Sequence, residues 1–589
     1  AIRLDRGYPD LKEQDLPQEP FAWVQEVEGS EGLSGFSGTP HLSALLLSGE
    51  SIDSKYLESI GRCPNLKLLK IDCPFLTRPK PTSFSAFSQL ELLSLSGTQL
   101  DSDAIVGILG QLRELRILNL GRLKVSLPVC EALAKLPRLT TLYTAHVLSD
   151  AELNVLLNSS SLSTLEIHDS SLFDGHLQIL IETKKLHLLP IAAARDGTRP
   201  ATDDQISALH LSFRDLSRET LSMISSLKNL TELDLSFSSI DDDGAKVLLQ
   251  ALDLRSLDIS RTALSDRTMA MLSRMDSLEI LDVVGCSVTN EGLNQIANIP
   301  NLRTLKLGSS SGKVNAEGIR SLEQCRNLTE LSITNELLID DEAIAVCGKI
   351  PKLRSLDLSH NERITGKNAA VLAALPNLCR LRVRDTYFAD EGAKAISRSA
   401  TLSDIDVGYT AVSESGLLAI SRLKNLRAVD ASLTNTTADV WKRMADNSSL
   451  AEIVIDMQLQ VDDQCLKTLG EKGQLQKLML ALPAFGESRR LGALVGKANA
   501  LRPATLDEVW SLNLKGCAGV TDVGAAELVQ LRNLRYLDLR GTRITERGLL
   551  HLATLKNLRV LKVTSTFGEL RESVKALRRK LPECRIGAD

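Results

Sequence analysis

Three arginines, Arg380, Arg382 and Arg384, occupy alternate positions of the stretch CRLRVRD. On an extended chain this alternation sends all three guanidinium groups off one face. There each can offer a planar fork of N–H donors to a carboxylate or a phosphate. Aspartates recur around them: Asp234, Asp258 and Asp282 at intervals of 24 residues, then Asp404, Asp406 and Asp430. Such residues could hold an anion, a cation or a charged protein surface, and the elements that carry them decide which. Catalytic patterns are missing: there is no G-x-x-x-x-G-K-[ST], no G-x-G-x-x-G after a strand, no H-E-x-x-H and no G-x-S-x-G, and the eight histidines stand at no ligand spacing. Acidic pairs such as Asp242 and Asp243 fall in a turn before a helix, where capping that helix explains them better than acid–base catalysis. The chain is expected to have no catalytic residues, cofactor or metal.

The elements follow from periodicity. The pattern L-x-x-L-x-L recurs from Leu42 to Leu558 in about 22 units, mostly 24 residues apart. The unit LRYLDLRGTRITERGLLHLATLKN begins with apolar alternation of period two, then places Ile544, Leu549, Leu552 and Leu555 at helical spacing. That is strand, turn, helix, turn. One unit cannot cover its own apolar face, so units must stack, strands in a parallel sheet and helices behind it. The predicted fold is α/β, a curved solenoid with strands on the concave face and helices on the convex face. Three positions after the last strand leucine stands a small polar residue or thiol, as at Thr98, Thr262, Cys286, Asn361, Thr410 and Cys517, suited to satisfying turn backbone.

The stretches LDLSFSSIDDDGAKVL, LDVVGCSVTNEGLNQI, LRVRDTYFADEGAKAI and LNLKGCAGVTDVGAAEL resemble the leucine-rich repeat family. Within it they resemble the cysteine-containing and GALA-type subclass, with the consensus LxxLxLxxTxITDxGLxxL. The resemblance covers roughly 42–563 and implies a protein-interaction scaffold. It also implies two alternatives: the substrate-recognition subunit of a ubiquitin-ligase-like complex, or a structural subunit of a large assembly. LPQEPFAWVQEV is too short and divergent for an F-box, which counts against the first.

The expected organisation is an N-terminal cap over 1–41, a first sub-array over 42–205, a second over 206–563 and a C-terminal helical cap over 564–589. Between Leu186 and Ile206 the interval shrinks to 20 residues and PIAAARDGTRPATDD has no helical periodicity, so a loop replaces the outer helix. Between Leu475 and Val509 it grows to 34, with an insertion over 482–508 whose Arg489 and Arg490 are candidate contacts.

The net charge of -5 leaves no overall basic footprint, so no nucleic acid is expected, and no apolar run is long enough to span a bilayer. The ten cysteines are spread out as buried, reduced thiols, pointing to a reducing intracellular compartment; the start at Ala1 rather than Met suggests that a targeting segment was removed. The alternate strand residues between Leu230 and Leu450 are mostly acidic, and stacked Asp234, Asp258 and Asp282 would repel one another across strands about 4.8 Å apart. The expected partner is therefore a protein segment of basic or mixed charge. In the repeat frame Arg380 falls beside Asp404, and Arg382 between Asp357 and Asp406. Arg384 falls between Ser359 and Gly408, without an acidic partner.

Overall fold

A computed structural model of the chain describes residues 24–28, 43–48, 51–53, 57, 60, 63, 65–73, 75–77, 81–168, 171–249, 253–310, 313–432, 434, 438–456, 462–481, 509, 511–563 and 570–588. They belong to two compact units, Ala1–Asp258 and Ile259–Asp589.

In the first unit β1 (Val24–Glu28), β2 (Ala44–Ser48), β4 (Leu68–Asp72), β6 (Leu92–Ser94), β7 (Ile117–Gly121), β8 (Thr141–Thr144) and β9 (Thr164–Ile167) pair in that order, all parallel. The short strands β3 (Ser51–Asp53) and β5 (Phe75–Thr77) form a separate parallel pair. Pairing stops after β9 and resumes with β10 (Ala192–Ala193), β11 (Ala208–His210), β12 (Glu232–Asp234) and β13 (Ser256–Asp258). The β10–β11 pair is antiparallel, a departure from the uniformly parallel sheet that the repeat pattern predicts.

The second unit runs through β14 (Ile280–Asp282), β15 (Thr304–Gly308), β16 (Glu330–Thr334), β17 (Ser355–Asp357), β18 (Arg380–Arg382), β19 (Asp404–Asp406), β20 (Ala428–Asp430), β21 (Glu452–Asp456) and β22 (Leu478–Ala481), each parallel to the next. A further parallel set holds β23 (Ser511–Asn513), β24 (Tyr536–Asp538), β25 (Val560–Val563) and β26 (Arg585–Ala588).

The alternation of the sequence sets the core. Leu281, Leu305, Leu331, Leu356, Leu381, Ile405 and Val429 meet in register along the second unit and are at most 2% exposed. Each such side chain contributes roughly 1.5–3 kcal/mol by leaving water. At the strand ends Thr262, Thr410, Thr434 and Thr542 donate their hydroxyls to the carbonyl three residues back, at 2.5–2.7 Å. Asn361 bonds the carbonyls of Ile333 and Leu358, and the Cys286 thiol bonds Ile259 O at 3.0 Å. These contacts satisfy the turn as the spacing predicts.

The helix layer is joined by an interlock that explains the D-x-G element of the repeat. Ser265, Thr289, Ser413, Thr521 and Thr545 are N-caps, each accepting a hydrogen bond from the backbone two residues on. The following acid does not cap its own helix, as the sequence suggests, but serves the next repeat. Asp266 accepts from the N–H and hydroxyl of Thr289, Asp390 from those of Ser413, and Asp522 from those of Thr545. Around Asp242 and Asp243 the capping residue is Asp241, which accepts from Gly244 N at 2.8 Å. The glycine of the motif makes room for this acid: a Cβ at Gly292, Gly416 or Gly548 would stand 2.1–2.5 Å from the carboxylate of Asp266, Asp390 or Asp522.

The same interlock carries the helix row across both irregular repeats. Asp174 accepts from Ser217 N, and Gln178 donates to the hydroxyls of Ser217 and Thr220, so helix Asp174–Glu182 is followed by helix Arg218–Ile224. Among the described residues the intervening 186–206 unit adds no α-helix, as its lost periodicity predicts. Asp203 pins it by accepting from His187 N at 2.8 Å and contacting His187 Nδ1 at 2.6 Å. Likewise Asp463 accepts from Thr521 N, Thr521 Oγ1 and Gly524 N, placing helix Asp463–Glu471 against helix Asp522–Glu527. The 482–508 insertion, with Arg489 and Arg490, lies outside the described residues.

Candidate binding surface

Strands β17 to β20 place their outward side chains in two rows. Ser355, Arg380, Asp404 and Ala428 form one; Asp357, Arg382, Asp406 and Asp430 form the other. Arg380 Nε lies 3.4 Å from Asp404 Oδ2, and Arg382 Nη1 lies 3.9 Å from Asp357 Oδ2. These pairings match the frame. Both arginines remain open, with 42% and 44% of their side chains exposed.

Arg384 overturns its expectation. It is the least exposed of the three at 24%, and its Nη1 stands 2.9 Å from Asp430 Oδ2 and 3.5 Å from Asp406 Oδ1. Its guanidinium also lies 4.5 Å from the centroid of the Tyr409 ring. The neighbour that makes Arg384 look isolated in sequence, Gly408, is what lets it cross: a Cβ there would meet Arg384 Nη1 at 2.6 Å. The arginine therefore reaches past the adjacent strand to an acid 46 residues away.

Asp406 and Asp430 are register partners that share this one arginine. Burial, then the neighbouring Asp430, push the Asp406 carboxyl up from 3.8 to about 7, against the opposing pull of Arg384. Next to this cluster His360 Nδ1 lies 2.9 Å from Asp385 Oδ2.

The aspartates recur for a local reason that composition hides. Asp234, Asp282, Asp357, Asp406 and Asp430 each accept, through Oδ1, the backbone N–H two residues on, at 2.9–3.2 Å. There the chain turns off the sheet, and the side chain replaces a ladder partner. Nor are Asp234, Asp258 and Asp282 a run of three unanswered charges. Asp234 and Asp258 are register partners in the first unit, whereas in the second unit Asp282 pairs with Lys306, whose Nζ lies 3.2 Å away. In β24 Asp538 is buried under a fork from Arg540, with Nη2 to Oδ2 at 2.7 Å.

Two aromatic features escape the frame. Tyr409 follows the outward positions by one residue, and Phe213 and Phe237 occupy the same place in their own repeats. Their rings stack in the first unit at 4.4 Å. The repeated phenylalanine at an interval of 24 is the signal that could have revealed them. Among the described residues no cluster of His, Cys, Asp or Glu could hold a metal ion, and no helix is long and apolar enough to cross a membrane.

All ten cysteines are thiols, nine of them buried. Burial pushes the thiols of Cys130 and Cys347 up to about 12, so they stay protonated and inert.

Three segments, 226–249, 349–373 and 530–553, match the family model described as Leucine Rich repeat. Each begins in the turn before a repeat strand or within the helix preceding it, in phase with the stack above. These three segments are leucine-rich repeats by that match. A 118-residue stretch is 30% identical to Protein NLRC5 of Ictalurus punctatus; it covers 18% of this chain and 7% of that protein's length. Among solved structures the chain is similar to an internalin (inlF) from Listeria monocytogenes, 17% identical with a TM-score of 0.38 over 61% of this chain and 88% of that one. The TLR13–ssRNA13 complex is 16% identical with a TM-score of 0.46, over 91% and 80%. The leucine-rich repeat fold of this chain is an α/β array of parallel strands and helices, and protein binding is what such a surface commonly serves.

Proposed function

We propose that this leucine-rich repeat protein is a non-enzymatic interaction scaffold whose β17–β20 face engages a protein partner of basic or mixed charge. The observation that carries this reading is the lattice on that face. Arg380 and Arg382 are each held by one acid and remain more than 40% exposed, while Arg384 is locked by Asp406 and Asp430. Charges fixed in position by neighbouring strands need little ordering on binding, and such patterns give specificity and fast association more than raw affinity. Asp357, Asp404 and Asp430 match the three arginines in number and Asp406 adds a further charge as it ionises near pH 7, which favours a partner of mixed charge with a cationic contribution. The interlock of acid and glycine between repeats supports the cysteine-containing, GALA-like subclass.

The experiment is capture by the immobilised full chain, at about 0.1 M and about 0.5 M salt, between which the screening length shrinks about twofold. A charge-read partner is retained at low salt and released at high salt. Retention independent of salt would sink the reading and favour a permanent structural subunit.

A further inference from the structure

In the turn after each strand from β11 to β19, and after β23 and β24, one residue sits in left-handed backbone. In six of these eleven turns the place is taken by residues suited to it, Gly285, Ser309, Asn335, Asp385, Gly516 and Gly541, and in three more by Arg261, His360 and Tyr409. In the first unit it is taken by Phe213 and Phe237, with φ of 60° and 55°. A bulky side chain there is strained, and it is also exposed, by 69% for Phe213 and 38% for Phe237. The two rings stack nearly parallel, 12° apart, leaving the outer ring open to solvent. Strain and apolar exposure are both unfavourable in the isolated fold, and adjacent repeats repeat the same choice.

Beside the rings lies an acidic surface. Glu232, Asp234 and Asp258 are outward on β12 and β13, and His210 faces Asp234 in register. Among the outward residues of β11–β13 there is no Lys or Arg. Arg214, next in sequence to Phe213, is turned inward and buried, with Nη1 donating to Leu172 O at 3.0 Å. The surface therefore offers an aromatic face beside carboxylates.

We infer that Phe213 and Phe237, with Glu232, Asp234 and Asp258, form a docking strip for an extended basic segment of a partner protein. An apolar residue of that segment rests on the Phe213 ring and flanking Lys or Arg side chains face the acids and the ring. Three strands span about 10 Å, the reach of three or four extended residues. A cation over an aromatic face beside carboxylates is attracted by both. The proposal rests on the reading of the chain as a protein-binding scaffold, and names a second surface and the chemistry of what it takes.

The test uses the full chain labelled with para-fluorophenylalanine, with the Phe213 and Phe237 fluorine resonances assigned from Phe→Leu variants. The probes are capped octapeptides of alternating Lys and Leu, Gln and Leu, or Glu and Leu. The Lys peptide should shift both resonances. Phe213→Asn, Phe237→Asn and the pair Asp234→Asn with Glu232→Gln should each weaken it by about fivefold or more. Phe→Asn suits the backbone, since Asn335 holds the same conformation at φ 56°, so these variants keep the fold. Equal shifts from the Gln or Glu peptides, or affinity unchanged by Phe213→Asn, would overturn the inference. So would concentration-dependent self-association, seen by sedimentation and abolished by Phe213→Asn, which assigns the strip to a second copy. Arg380→Glu with Arg382→Glu separates the two readings: it should leave the Lys peptide unaffected while abolishing capture by the β17–β20 face.

Discussion

Replacing Asp406 by Asn should stabilise the protein at neutral pH, although it removes a charged group 3.5 Å from an arginine. The carboxyl titrates at about 7 in the fold against an ordinary value of 3.8. Between those values the native state holds a proton that the unfolded chain has lost, so stability falls as pH rises through this window. The cost is absent below about pH 4 and complete above about pH 7. A shift of about three units at 1.36 kcal/mol each sets an upper limit near 4 kcal/mol. Asn removes this cost and keeps the acceptor that holds Gly408 N at 2.9 Å. It leaves Arg384 in a one-to-one pair with Asp430 at 2.9 Å, so the forfeited contact with Asp406 is the longer one. The expected gain is about 2–4 kcal/mol at pH 8 and near zero at pH 4. Urea denaturation of both proteins across this range, followed by circular dichroism, gives the difference curve. A difference independent of pH, or a variant less stable than the wild type at pH 8, would refute the reasoning.

Other outcomes follow from the same contacts. Arg384→Met strands two adjacent carboxylates and should cost about 3 kcal/mol at pH 7.5, whereas Arg382→Met, exposed and 3.9 Å from its acid, should cost under about 0.5 kcal/mol by the same denaturation. Gly416→Ala puts a Cβ 2.5 Å from Asp390 Oδ1 and should cost about 1–3 kcal/mol. Combined with Asp390→Ala, much of that loss should disappear in a double-mutant cycle, because the clash and the interlock share one carboxylate. Aromatic disulfide reagents should modify native Cys379, the one cysteine that is half-buried rather than buried, well before the other nine.

The stack was legible because its two signals are local. Period two followed by helical spacing fixes strand and helix within one unit, and the leucines of successive units must then meet in register. Interactions between units were less accessible. The acid of the D-x-G element looks like a cap for its own helix until the structure brings the N-cap of the next repeat, 23 residues on, to its carboxylate. Arg384 looks unpaired in the repeat frame because neither of its acids shares its frame position: Asp406 lies one step back on the adjacent strand, and Asp430 lies a strand further on, past a glycine that opens a path the frame cannot represent. The acidic row was visible, but not its cause, since accepting a backbone N–H two residues away leaves no trace in charge spacing. The aromatic stack stood one position beyond the alternation, where the strand has already turned.

The central claim is that the β17–β20 face binds a protein. Carbodiimide footprinting of the chain, free and with its captured partner, reads this directly through carboxylate labelling. Labelling of Asp357, Asp404 and Asp430 should fall on binding while Glu391 and Glu414, in the first turns of the helices behind, stay unchanged. Protection of Glu391 and Glu414 with the strand aspartates unaltered would contradict it.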